Sequence, residues 1–126
     1  MKLKTLFIIN VFIAGGFGLA WVFIPLTAIS LYEVNLNPGG VIFGQLFGAA
    51  LLGYAVLAWF GRNVGESEAS KGILLALFVN DTVGFVVALL AQLSGVINWL
   101  GWSTVIIYLL LALGYGYFIF FKPSAS

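Results

Sequence analysis

The sequence predicts an all-α integral membrane protein, a bundle of four transmembrane helices with both termini in the cytoplasm. Three observations carry that expectation. Of 126 residues, 63% are hydrophobic and 7% charged, with mean hydropathy +1.17; soluble domains have about 25% charged and about 45–50% apolar residues. So short a chain has too little interior to hide that much apolar surface from water, so its solvent must itself be apolar. Four apolar segments each reach the roughly 20 residues that, at about 1.5 Å per residue, cross a hydrocarbon core of about 30 Å. Finally, every basic residue falls on one side of such a bundle.

The first segment runs from about Thr5 to Leu31. Its basic start, apolar run and Gly18-Leu19-Ala20 imitate a cleavable signal peptide. The apolar run continues through "WVFIPL", too far for a signal core, so a retained helix is expected. Pro25 lacks an N–H and collides with the preceding turn, and should kink this helix or end its regular part. After "YEVNLNPGG", the second segment spans about Val41 to Phe60. "GRNVGESEASK" leads to the third, about Gly72 to Leu93, with acids placed to favour a helix N-terminus and Lys71 at the boundary. "SGVIN" leads to the fourth, about Trp99 to Phe121. These connections are rich in residues that break or cap helices. No domain boundary is visible, and residues 1–126 are expected to form one unit.

Lys2, Lys4, Arg62, Lys71 and Lys122 lie in the N-terminus, the central loop and the C-terminus. The excess of positive charge in cytoplasmic loops orients the bundle accordingly. The outer loops keep Glu33 as their charge, with Tyr32, Trp99 and Trp102 as interfacial aromatics. A net charge of +1 without a basic cluster gives no nucleic-acid surface. With no Cys and no His, disulfides, thiol chemistry, zinc sites and His-ligated haem are excluded, and no metal or other cofactor is expected. No catalytic residue is assigned and no enzyme is expected, because acid–base chemistry needs a positioned set of groups and only one carboxyl lies deep.

In lipid, apolar side chains do not drive helices together, so small residues and interhelical hydrogen bonds mark the faces that meet. Gly44 and Gly48 form a GxxxG on the second helix, and Asp81, Gly84, Ala88 and Gln92 share a stripe on the third. Asn10, Ala14, Gly18 and Trp21 do so on the first, and Thr104, Tyr108, Ala112 and Tyr115 on the fourth. The GxxxG suits packing within the bundle or between protomers. Gln45, Gln92 and Thr104 are candidates for an outward-facing polar vestibule, or are routine caps.

Asp81 is the one carboxylate inside an apolar stretch, about nine residues and so about 14 Å from the expected start of its helix. Ionisation near the midplane costs about 2.5–3.5 kcal/mol on insertion scales, and no Lys or Arg shares its depth. It is therefore expected to be neutral or held by hydrogen bonds. Depth makes Tyr108 the favoured partner; Asn80 and Thr82 are adjacent but should face elsewhere, Thr82 returning its hydroxyl to the backbone. Asp81, Tyr108 and Asn10 form the candidate proton or ligand site. The alternative is a polar clamp that fixes helix register. Asn80-Asp81-Thr82 matches a glycosylation sequon, but an Asn within the bilayer is not available to that chemistry.

The stretches "FGLAWVFIPLTAISLYEV", "FGQLFGAALLGYAVLAWFGRN" and "LFVNDTVGFVVALLAQLSG" resemble small bacterial four-helix membrane proteins of the DoxX-like or domain-of-unknown-function type. The shared features are a Pro near the end of the first helix, a following Leu-Tyr pair and "LFGA" opening the second. Many relatives carry a basic residue where this chain has Gln45. The resemblance implies a multi-pass protein of the bacterial inner membrane, some relatives being linked to redox complexes. Two functions are expected from these readings: a non-enzymatic accessory subunit of a larger complex or homo-oligomer, or a small transporter or lipophilic-ligand-binding protein using Asp81.

Overall fold

The computed structural model describes residues 2–63 and 67–121. It is all-helical among these residues: α1 Leu3–Phe23, α2 Pro25–Ser30, α3 Pro38–Gly61, α4 Glu68–Leu93 and α5 Gly101–Phe120. All but α2 are long and apolar enough to cross a membrane, and the chain is a multi-pass membrane protein. A spanning backbone must satisfy its own polar groups, which a helix does within one segment. Of the residues used to orient the bundle, Lys122 lies outside the described residues.

The first segment is interrupted at the point expected from Pro25. Ile24 leaves helical geometry at φ −134° and ψ 54°, and Pro25 restarts the chain as the first residue of α2. Proline drives the residue before it out of the helical region and has no N–H to lose at a helix start. Capping also moves two starts earlier than hydropathy placed them. Asn37 accepts the Gly40 N–H at 2.7 Å ahead of Pro38, and Ser67 accepts the Ser70 N–H at 3.1 Å ahead of Glu68. After α4, Gly95 takes the left-handed φ of 82° and donates to the Gln92 carbonyl at 3.2 Å, turning the chain toward α5.

The helices pair as two hairpins, α1 with α3 and α4 with α5, with far less contact between the pairs. Glycines allow the first pairing. A Cβ built on Gly48 would lie 2.7 Å from the Trp21 Cβ and 2.9 Å from the Gly18 carbonyl oxygen, and one on Gly44 would lie 2.7 Å from the Trp21 ring. The GxxxG is thus a slot for Trp21 within this bundle.

The hairpins join at both ends. Beside Lys2, Lys4, Arg62 and Lys71, a core of Leu3, Leu6, Phe7, Ala58, Leu74, Leu77, Leu111, Tyr115 and Phe118 draws on both pairs. At the opposite end the Asn98 N–H donates to the Tyr32 carbonyl at 3.2 Å, and its side-chain amide to the Leu31 carbonyl at 3.1 Å. Phe12, Phe43, Phe60, Leu110 and Phe120 stand exposed around the girth, as lipid contact allows. Arg62 stays at the rim, its guanidinium 3.4 Å above the Trp59 ring.

Candidate functional site: a cleft between two helical hairpins

Because the hairpins meet mainly at their ends, a cavity of about 1030 Å³ opens between them. The positions of α4 that line it, from Gly72 through Ala76, Asn80, Gly84 and Ala88 to Ala91, recur at the spacing of one helix face. Asn10, Ala14, Phe17 and Trp21 supply α1's wall, Phe47, Leu51 and Tyr54 that of α3, and Thr104, Tyr108 and Leu111 that of α5. Contact between α3 and α4 is slight, and the outward residues Val79, Val83 and Val87 of the lining stand half exposed or more. The cleft is therefore open along the side of the bundle.

Asp81 sits midway along this wall and is 3% exposed. Its Oδ1 accepts from the Asn80 side-chain amide at 3.3 Å. This corrects the expectation that Tyr108 is its hydrogen-bond partner and that Asn80 faces elsewhere. The Tyr108 ring instead lies against the Gly84 backbone, where a Cβ would collide with the ring. Asp81 Oδ2 and Thr82 Oγ1 are buried with no hydrogen-bond partner among the described residues, so Thr82 does not return its hydroxyl to the backbone. A buried polar atom left unpaired is costly, about 1–3 kcal/mol, and invites a ligand or a proton.

Asn10 also lines the cleft, but its amide donates to the Tyr115 hydroxyl at 2.9 Å, and both residues are buried. Tyr115 had no expected role beyond its stripe. Depth held the signal: Asn10 lies about two turns from the start of α1, and Tyr115 between one and two turns from the end of α5, on antiparallel helices. Tyr54 also lines the cleft, and a single Tyr in an apolar helix carries no sequence pattern that marks it.

The three vestibule candidates separate. Thr104 lines the cleft, its hydroxyl 3.4 Å from that of Tyr32. Gln45 donates to the Val22 carbonyl at 3.1 Å, satisfying an acceptor at the frayed end of α1 before the Pro25 break. Gln92 donates to the Asn98 carbonyl at 3.0 Å and braces the α4–α5 connection, leaving its Oε1 buried without a partner among the described residues. Ala88 lines the cleft, and Gly84 both lines it and seats Tyr108. No group of acidic residues that could hold a metal occurs among the described residues.

Fold and site define a class: a four-span helical membrane protein with an apolar lateral cleft and one buried carboxyl in its wall. Comparison of the chain with models of protein families, with curated proteins and with solved structures finds no match.

Proposed function

We propose that this chain is a ligand-binding protein of the bacterial inner membrane that takes a lipophilic molecule into the cleft between its hairpins, with no enzymatic activity of its own. The observation that carries this reading is the cavity of about 1030 Å³, walled by all four spanning helices and interrupted by the Asp81 carboxyl. Ligand sites are commonly cavities of about 300–1,000 Å³, mainly apolar, with a few polar groups to fix orientation. Side entry suits a molecule already dissolved in lipid. Uptake alone makes a binding protein; release to the other side would make a transporter. The accessory-subunit reading rests on the short connections and the small-residue stripes. The structure uses the GxxxG within the chain, which removes one support for it.

Trp21 in the wall gives a direct test. With Trp59, Trp99 and Trp102 replaced by Phe, a brominated lipophilic probe should quench Trp21 saturably in nanodiscs. Ala88→Trp, measured by displacement of a labelled probe in the otherwise native chain, should lower affinity about tenfold or more by filling the cleft. Quenching that rises linearly with probe, as from bulk lipid, would defeat the reading.

The proposal also places both termini and the central loop in the cytoplasm, supported by the one-sided basic residues. The natural sequence has no Cys, so single cysteines at Asn35 and Ser67 report cleanly. An impermeant maleimide added to intact cells should label Asn35→Cys and spare Ser67→Cys. The reverse pattern would invert the topology.

A further inference from the structure

We infer that the cleft's ligand is a lipophilic organic cation, bound through the Asp81 carboxylate in exchange for a proton. The inference rests on the ligand-binding reading above and names the chemistry of the ligand.

Three observations carry it. The first is the residue type. Asn or Thr would offer a buried acceptor at mid-membrane without the cost of a potential charge, so an acid there gains only when something positive can meet it. The second is that no such charge stands beside it among the described residues. Its basic residues are Lys2, Lys4, Arg62, Lys71 and Lys122, none of them within α1 beyond Lys4, within α3, within α4 beyond Lys71, or within α5. The groups facing Asp81 are Asn80 on its own helix, Tyr108 and Tyr115 on α5, and Asn10 on α1 through its bond to Tyr115; Tyr54 on α3 lies within electrostatic reach of Tyr108. All are uncharged as protonated side chains, and Oδ2 remains without a hydrogen-bond partner among the described residues.

The third observation is the surrounding wall. An inorganic cation needs a shell of about six oxygens, whereas this lining is largely aliphatic and aromatic. An organic cation needs one counter-charge, an apolar bed for its body and aromatic faces for its charge. Tyr108 stands near the carboxyl, Tyr54 lines the same cavity, and so does Trp21, packed edge-on to Phe47 with centroids 6.1 Å apart.

The exchange balances in charge. With the cleft empty, the carboxyl carries its proton and the site is neutral. As the cation enters, that proton leaves to water and the carboxylate pairs with the cation, so the site is neutral again and no net charge is buried. Proton and cation compete for one group, and acidification must therefore weaken cation binding.

The test is equilibrium binding to the full chain in nanodiscs, with radiolabelled tetraphenylphosphonium as the cation and triphenylphosphine oxide as the neutral, aromatic counterpart. Wild type should bind both, and Asp81→Asn should lose about 30-fold or more in affinity for the cation while keeping the neutral probe. Asp81→Glu should retain cation binding, which separates loss of charge from loss of fold; retained binding of the neutral probe by Asp81→Asn makes the same separation. Cation affinity should fall as the pH is lowered from about 8 to about 5, with the neutral probe indifferent. If the neutral probe binds but the cation shows no dependence on Asp81 or pH, the cation inference is overturned and the ligand-binding reading stands. If neither probe binds saturably to wild type, both are overturned.

Discussion

Gly48→Leu is expected to abolish the α1–α3 hairpin, and Gly48→Ala to weaken it measurably. Glycine to alanine within a helix ordinarily gains about 0.5–1 kcal/mol, because glycine loses more backbone freedom on folding. At Gly48 that gain is overruled. The added methyl would meet the Trp21 Cβ at 2.7 Å and the Gly18 carbonyl oxygen at 2.9 Å, atoms fixed to the opposing backbone that no rotamer change can move. The helices must separate, at a cost of about 1–3 kcal/mol for overpacking by alanine and beyond about 4 kcal/mol for leucine. Gly53, on the same helix, has open space around its would-be Cβ, so Gly53→Ala should be neutral or slightly stabilising. Reversible unfolding in mixed detergent micelles would measure all three. Equal effects at Gly48 and Gly53 would show that the close approach is not a feature of the folded protein.

Tyr115→Ala is expected to be the most damaging change at the junction of the hairpins. Its side chain is fully buried, packs beside Phe7 with ring centroids 5.8 Å apart, and accepts the Asn10 amide. Removing a buried aromatic leaves a void costing about 3–5 kcal/mol, since lost packing contacts are not restored by lipid. Tyr115→Phe keeps the packing and deletes only the hydrogen bond. In bilayers such bonds average about 0.6 kcal/mol, with a maximum of about 1.7. Unfolding free energies should therefore show Ala several times worse than Phe. Matching losses would mean that the polar bond, not the ring, joins the hairpins there.

Much of the secondary structure was legible because the bilayer imposes a length, and segments of about 20 apolar residues meet it whatever they later touch. Pro25 told of an interruption, since its missing N–H acts locally, and the polar stretch holding Ser67 told of a helix N-terminus; the caps at Asn37 and Ser67 set the helix starts outside the apolar runs, which hydropathy alone does not register. The depth of Asp81 was legible too, as simple counting along a helix. Its partner was not, because adjacent residues differ by about 100° around a helix while side-chain rotation can still bring Asn80 back to Asp81.

Composition and segment length are enough to establish the solvent, the four spans and the lone acid within the third. Which faces meet depends on how the helices pack. Apolar residues cover nearly every side of these helices, so hydropathy does not distinguish a neighbour from lipid, and in lipid the hydrophobic effect does not choose between them. The choice passed to shape: Gly18 and Gly48 let α1 and α3 close, Gly84 admits the Tyr108 ring, and Asn10 finds Tyr115. Two tight hairpins follow from those contacts, and the cleft that holds Asp81 is the space left between them.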